Sequence, residues 1–445
     1  MSCDPKYFND PVHGLVSFGD SLIDHLLLNL IDSVEFQRLR RVRQLGMAEC
    51  VFPGATHTRL SHGIGVLREA RRFADRLREL DESLLSEEQE TVLLVSALLH
   101  DLGHGPFSHV FERITDDSHL DRTVEIVLDS STSINAMLVA FDAQLPLLVG
   151  SFFIPDFAEA TDMDVWPEYL TSIVSSQLDA DRFDYLVRDS HFAGVKYGVF
   201  EADWLVKHLN VDDKGIYVQR KAFTAAESFV MARHHMYTSV YFHHATRAAE
   251  VMLERLFSRY KLLLRGCTGP QQVAEVVPGA PPAVVSAFGD AKLSLDQYLA
   301  LDDSMLTVFI YCCQGARDPI LSALGWGLWN RRLWKHIDVT HAKTTEVVKF
   351  VGHVRDELEN QGADINYIWA DDTPADTPYR PYNVLVAEVP IRVENGAGIV
   401  VEITEVSEAL HSLTKQYSLA RYYFASEVRG IVKQAEAEVL GGGDH

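Results

Sequence analysis

Cysteine is scarce in this 445-residue chain. Its five cysteines, Cys3, Cys50, Cys267, Cys312 and Cys313, form an odd set with no CxxC spacing. Neither a disulfide framework nor a zinc–thiolate site is expected, and the adjacent Cys312–Cys313 pair reads as core filling. Long apolar runs are missing as well. None approaches the roughly 20 residues that a membrane-spanning helix needs. The opening MSCDPKYFND has no basic stretch followed by an apolar block, so no secretory signal is expected. The expected address is the cytoplasm, with no membrane partner. Positive charge is in deficit: 40 Lys and Arg stand against 63 Asp and Glu, a formal net charge of −23. A field of that sign repels phosphate backbones and argues against general nucleic-acid binding. No internal repeat or low-complexity tract occurs, which sets aside solenoid architectures. What remains is an ordinary globular composition, 47% hydrophobic and 23% charged, with length for two or three domains.

Basic residues are clustered despite the deficit. Arg71 to Arg78 read as solvated helix faces, whereas Arg38 to Arg43 and Arg59 suit a small anionic ligand. A nucleotide needs a local positive pocket, not a basic protein. Apolar periodicity predicts helices over about 21–46, 62–80, 86–102, 165–191, 221–265, 294–302, 317–336 and 343–360. The helical stretch after His119 is interrupted by Pro146 and Pro155, and an extended lead, YFNDPVHGLVSFG, precedes everything. HLNVDDKGIYVQRK alternates around Asp-Asp-Lys-Gly, a hairpin signal. The Pro/Gly-rich segment near 266–285 marks a change of register, and INYIWA, NVLVAEVPIRV and GIVVEIT read as strands. LGGGDH reads as a flexible end. The expectation is a mainly α protein: a helical core over 1–265 with a short β-hairpin, a helical extension over 266–340, and a smaller α/β lobe over 341–445.

The chemistry concentrates in ALLHDLGHGPFSHVFE. Here His100–Asp101 closes an apolar run, and His104 and His109 follow. Adjacent helical residues point about 100° apart, so both reach one ion only if it lies between their directions. A carboxylate beside an imidazole suits Mg, Mn, Fe or Zn. Upstream, VFPGATHTRLSHGIGV places His57 and His62 five apart after a Pro-Gly turn. Downstream, SSQLDADRFDYLVRDSHF carries Asp179, Asp181, Asp184 and Asp189, with Asp181, Tyr185 and Asp189 on one helical face. His119 follows the dyad. Each residue alone has a plainer reading: His57 a hydrogen-bonded loop residue, Asp179 an N-cap, Asp184 a solvated helix charge, His119 a surface residue.

Taken in order, NDPVHG, FQRLRRVRQLG, FPGATHTRLSHGIGV, HDLGHGPFSHVFE, LDADRFDYLVRD and ARHHMYTSVYFHH resemble the HD-domain phosphohydrolases, in particular the deoxynucleoside triphosphate triphosphohydrolases of Firmicutes and the vertebrate SAM-and-HD-domain enzyme. The similarity runs from about Lys6 to about Arg332, and more weakly through the rest. It implies an HD-domain helical core and one divalent ion, Mg, Mn or Fe, held by His62, His100, Asp101 and Asp181. It implies catalytic roles for His104, His109, His119 and Arg59, with Arg59 also touching phosphate. Gln44, Leu45, Arg182, Tyr185, Asp189, Arg233, Tyr241 and Phe242 fall at substrate-binding positions. Two departures stand out. Arg182 replaces a family lysine, and Phe242 replaces a glutamine of the vertebrate enzyme, so base contacts do not transfer directly.

The resemblance also implies a guanine-nucleotide activator bound between subunits of a homotetramer. Asp32, Gln37 and Arg40 match the residues that hold the guanine, Lys6, Tyr7, Asn9, Val51 and Phe52 match neighbours, and Arg220, Lys221 and Arg331 match phosphate contacts. The plainer reading makes Asp32 a helix cap and Arg40 half of an ordinary ion pair. The implied activity is hydrolysis of a dNTP to deoxynucleoside and tripolyphosphate. Two alternatives stay open here: another HD enzyme acting on monophosphates, cyclic nucleotides or guanosine polyphosphates, and a nucleotide-sensing module with weak catalysis.

Overall fold

Asp10 closes the first turn of the structure. Its Oδ1 accepts the backbone N–H of Val12 and His13, and Gly14 takes φ +73°, which joins Lys6–Asp10 (β1) to Gly14–Phe18 (β2) as an antiparallel hairpin. The computed structural model describes residues 6–154, 166–288, 293–376, 379, 389–414 and 417–441. They fall into two compact units. The first comprises Met1–Gly46, Phe52–Val240 and Thr377–Lys415; the second comprises Met47–Val51, Tyr241–Asp376 and Gln416–His445.

In the first unit the helix expected over 21–46 is broken. Leu22–Asp32 (α1) buries Leu26, Leu27, Leu30 and Ile31. Ser33 then turns extended, donates its hydroxyl to the Leu30 carbonyl and caps Val34–Arg38 (α2) by accepting from Phe36 N–H. A serine can end one helix and begin the next without disturbing the apolar pattern. Arg59–Leu80 (α3) and Glu87–Leu99 (α4) follow, the latter opened by a Ser86/Gln89 capping box. Next come His109–Thr115 (α5), His119–Leu128 (α6), Ser133–Phe141 (α7), Leu145–Phe153 (α8) and Glu168–Thr171 (α9). Pro155 lies outside the described residues.

The helix expected over 165–191 is confined to Ala180–Ala193 (α10) after α9. Asp179 explains the start: its carboxylate takes the N–H groups of Ser176 and Arg182, an N-cap as the plainer reading had it. Helix α3 packs against both α4 and α10. Val66, Leu67, Ala70, Phe73, Leu94, Leu98, Phe183 and Leu186 are all buried in these helices. Each large apolar side chain so buried contributes roughly 1.5–3 kcal/mol. The hairpin Leu209–Asp212 (β3) and Gly215–Val218 (β4) forms as expected. It is extended by Arg392–Glu394, parallel to β4, and then by Val400–Glu402, antiparallel. Of the strand read from NVLVAEVPIRV, residues 383–388 lie outside the described residues.

The second unit holds helices at His244–Arg265, Asp303–Cys313 and Pro319–Trp329 that pack on one another. The helix expected over 317–336 stops at Trp329, because Arg331 adopts φ +52° and Lys335–Asp338 is a strand. That strand, Arg421–Phe424 and Trp369–Asp372 make a three-stranded antiparallel sheet. Ile365–Tyr367 of INYIWA forms a 3-10 turn, and strand begins at Trp369. Thr344–Asn360 and Arg429–Ala435 cover the sheet through Phe350, Val354, Leu358 and Val432. Helix 221–265 is interrupted at Tyr237–Tyr241 by a π turn. Gly442–His445 lie outside the described residues. Among the described residues no single helix is long and apolar enough to cross a membrane.

Candidate metal centre

Three elements of the first unit converge on one point. Helix α3 carries Arg59 and His62 in its first turn, the end of α4 carries His100 and Asp101, and α10 carries Asp181. His62 Nε2 lies 3.2 Å from His100 Nε2, 3.0 Å from Asp181 Oδ1 and 3.4 Å from Asp101 Oδ2. His100 Nε2 lies 3.4 Å from Asp101 Oδ1 and 3.6 Å from Asp181 Oδ1. The HDLG turn fits tightly here: a Cβ on Gly103 would stand 2.1 Å from the His119 carbonyl oxygen.

The donor set tells what belongs between these atoms. His100 Nδ1 faces the Ala97 carbonyl at 3.0 Å, and His62 Nδ1 faces Asp184 Oδ2 at 2.7 Å. Each Nδ1 is thereby engaged away from the site, which leaves each Nε2 facing it. These two nitrogens and an Asp181 oxygen group closely enough to share one ion, with one Asp101 oxygen 3.4 Å from each imidazole. Two donor atoms each about 2.1 Å from one ion stand about 3 Å apart when they subtend a right angle. The residues fit a divalent cation.

Electrostatics agree. Burial works against charge on His62, but hydrogen bonds to Asp181 and Asp184 and the field of Asp101 overcome it and raise its pKa to about 10. His100 is raised against burial by Asp101 and Asp181. Burial opposes ionisation of Asp101 and Asp181, yet Arg59, His100 and His104 hold Asp101 well below the usual carboxylate range, and His100 and His62 lower Asp181. The site attracts positive charge.

Arg59 is buried, donating Nε to Ser108 Oγ at 2.9 Å and Nη1 to Asp101 Oδ2. Beside it lies a second cluster. His104 Nε2 is 3.3 Å from Asp101 Oδ1, and the His104 ring stacks on His119 at 4.0 Å between centroids. Burial first, and Arg59 second, keep His104 neutral. Glu112 accepts from His109 Nδ1 at 2.9 Å and from His119 Nδ1 at 2.5 Å. Burial opposes its charge, but these two rings pull it far below the ordinary glutamate value. A carboxylate that fixes Nδ1–H on two histidines leaves each Nε2 for proton transfer. His119 is half-buried in this cluster, not a free surface residue. Sequence reasoning passed over Glu112, although its place three residues after His109 on a helix was a usable signal.

The other expected substrate positions divide by unit. In the first, Asp189 Oδ1 accepts from His57 Nε2 at 2.8 Å, and the His57 ring stacks on Phe192. The His57 carbonyl also takes the Gln44 N–H at 3.1 Å, and the side-chain oxygen of Gln44 is buried without a partner. Leu45 follows Gln44, half-buried. Arg182 bonds Asp179. Arg233 reaches Gln177 at 3.3 Å and lies 5.2 Å over the Tyr237 ring. Burial, then Tyr237, lifts the Tyr185 phenol well above its usual range. Tyr241 and Phe242 open the second unit, where Phe242 stacks parallel to Tyr417 and its carbonyl accepts from Arg421 at 2.6 Å.

Of the residues expected to meet a guanine nucleotide, Lys6, Tyr7 and Asn9 are exposed on β1. Asp32 is exposed at the end of α1 and does not cap α2, because Ser33 does. Among the described residues Arg40 makes no ion pair; it donates Nε and Nη2 to Gln37 Oε1 at 3.1 and 2.7 Å, and Gln37 in turn donates to the Ile31 carbonyl. Both plainer readings are thereby corrected. Phe52 is half-buried, and Arg220 and Lys221 are exposed after β4. In the second unit Val51 is half-buried, and Arg331 donates to the Cys50 carbonyl. Asp184, read as a solvated charge, is fully buried, because it sits between two histidines and an arginine.

Residues 59–186 match the HD domain family and 200–275 the HD associated region. The uncharacterized protein YwfO of Bacillus subtilis is 33% identical over 413 residues, 92% of this chain and 90% of that protein. The deoxynucleoside triphosphate triphosphohydrolase SAMHD1 homolog of Dictyostelium discoideum is 29% identical over 275 residues, 58% of this chain and 50% of its own. A crystallised phosphohydrolase from Bacteroides thetaiotaomicron superposes with a TM-score of 0.77 at 26% identity, covering 95% of this chain and all of that one.

Proposed function

The chain belongs to the HD-domain phosphohydrolases, and from that membership we propose that it hydrolyses deoxynucleoside triphosphates to deoxynucleoside and tripolyphosphate. The observation that carries the reading is the meeting of two imidazole Nε2 atoms with two carboxylates, directly beside a histidine–glutamate cluster suited to proton transfer. His62, His100, Asp101 and Asp181 hold one divalent ion, Mg, Mn or Fe. When bound there, such an ion supplies Lewis-acid polarisation of a phosphoryl oxygen and lowers the pKa of a water.

The protein's own groups do the rest. Arg59 is pinned by Asp101 and Ser108, so its guanidinium is fixed before substrate arrives and offers charge to developing phosphoryl oxygens without reorganisation. Neutral His104, 3.3 Å from Asp101, is assigned to the same phosphate. The departing 5′-oxygen needs a proton, and exposed His109, with Glu112 fixing its Nδ1, is placed to deliver it from Nε2, with His119 as its partner on the same carboxylate. Asp189, oriented by His57, is assigned to the sugar 3′-hydroxyl, and the orphaned Gln44 oxygen awaits a donor from the nucleotide.

Activation by a guanine nucleotide within a homotetramer completes the proposal. Exposed Asp32 accepts from the guanine ring, and the Gln37–Arg40 pair is already assembled beside it. Ion-exchange separation of products from a panel of dNTPs and NTPs, with and without dGTP under Mg and Mn, is the test. Tripolyphosphate is expected; orthophosphate or pyrophosphate as the first product refutes the reaction. Loss of the dGTP response in Asp32→Ala, with light-scattering mass and metal content followed beside it, is expected of the activator site.

A further inference from the structure

The tip of the N-terminal hairpin reaches the carboxylate that orients His62. His13, in the β1–β2 turn, places Nε2 2.5 Å from Asp184 Oδ1, and its Nδ1 lies 3.4 Å from Glu69 on α3. Both His13 and Asp184 are buried. Asp184 takes four donors: His13 and Arg188 Nη2 on Oδ1, His62 Nδ1 and Arg188 Nε on Oδ2. A second tie runs from the hairpin, an ion pair of Asp10 Oδ2 with Arg188 Nη1 at 2.8 Å. The carboxylate is thus divided: one oxygen faces the hairpin, the other fixes the tautomer of His62. Removing the hairpin's donor leaves Oδ1 with Arg188 alone and loosens the hold on Asp184, and with it the hydrogen bond that orients His62.

We propose that His13 is a positioning residue of the metal centre, and that docking of the β1–β2 hairpin and loading of the metal are linked through it. The inference rests on reading His62 as a metal ligand. Linkage is reciprocal: the docked hairpin tightens metal binding, and bound metal holds the hairpin down. Lys6, Tyr7 and Asn9 lie on the same hairpin. A ligand that fastens on β1 therefore acts on the centre by this route, one element biased from both ends.

Mn²⁺ binding to the full-length, chelator-stripped protein is measured by calorimetry, beside hydrogen–deuterium exchange of residues 6–18. His13→Ala should weaken Mn²⁺ binding about tenfold or more, the range for lost outer-shell partners of a metal histidine. His13→Gln, whose amide nitrogen reaches the place of Nε2, should restore most of it. In the wild type Mn²⁺ should slow exchange across the hairpin, and in His13→Ala that slowing should vanish. Affinity of His13→Ala within twofold of wild type, equal losses in both variants, or wild-type hairpin exchange indifferent to Mn²⁺ each overturns the proposal. That last measurement needs no variant to fold. His62→Ala separates the two readings: if it binds Mn²⁺ like wild type, His62 is no ligand and the metal assignment falls too; if it loses Mn²⁺ while His13→Ala does not, only the hairpin linkage falls.

Discussion

Replacing Gly65 with alanine sets two effects against each other. In the interior of the 22-residue helix Arg59–Leu80, alanine is favoured over glycine by about 1 kcal/mol. At this position, however, the added carbon would stand 1.9 Å from Asp184 Oδ1 and 2.5 Å from Arg188 Nη2. Overpacking of that kind costs about 1–3 kcal/mol when neighbours shift. If Asp184 is pushed off Arg188, a buried ion pair opens at about 3–5 kcal/mol. The steric and ionic costs outweigh propensity, and the expected net destabilisation is about 2–4 kcal/mol. At about 2–4 °C per kcal/mol, differential scanning calorimetry should show the first unit melting roughly 5–15 °C lower. Metal content should fall with it, since Asp184 orients His62. Gly352 is the control. It too lies in a helix, Thr344–Asn360, but nothing stands within 4 Å of its added carbon. Gly352→Ala should gain up to about 1 kcal/mol. Should Gly65→Ala melt at or above the wild type with full metal content, the close approach of Asp184 to α3 is wrong.

Three further outcomes are expected. Asp181→Ala and His100→Ala should each lose stoichiometric Mn²⁺ by elemental analysis while circular dichroism stays unchanged; retained metal removes the residue from the ligand set. Glu112→Gln should lower kcat by about 100-fold at unchanged metal content, because one neutral amide cannot accept from both His109 and His119; a rate within threefold of wild type excludes the relay. In the second unit, burial, then His244 and Arg421, lower His336 to about 4. Its unfolded value is near 6.5, so as pH falls from 6.5 toward 4 the unfolded chain takes the extra proton and stability declines. The side chain is partly exposed, which screens the effect to about 1–2 kcal/mol. His336→Phe should flatten that limb in urea melts at pH 7, 5.5 and 4.5, and an unchanged slope would assign it elsewhere.

What could be seen in the sequence was local, and what could not was long-range. His62, His100, Asp101 and Asp181 stood out because each sits inside a short motif with its own turn or helix signal. The hairpin around Asp-Asp-Lys-Gly was legible for the same reason. Helix ends were less so: Ser33 and Asp179 interrupt helices by side-chain bonds that leave apolar periodicity intact. Asp184 looked like a solvated charge because its partners, His13 and His62, lie 171 and 122 residues away. Glu112 gains its meaning from His119, which a turn and seven residues separate from it. Buried charge networks are written in the packing, and no window along the chain spans them.

The parallel pairing of Val218 with Val393 has a consequence in time. The ribosome delivers the two partners about 175 residues apart, and at roughly 5–20 residues per second that is an interval of about 10–35 s. Throughout it, strand Gly215–Val218 is paired with Leu209–Asp212 on one side only. Its other edge presents bare N–H and C=O groups, a template for any extended segment nearby. The helices bearing the metal ligands have by then all been made. Nascent molecules therefore hold the helices of the candidate metal centre beside an unfinished sheet, and translation that halts before residue 392 leaves every copy with a sticky margin that strand Arg392–Glu394 otherwise covers.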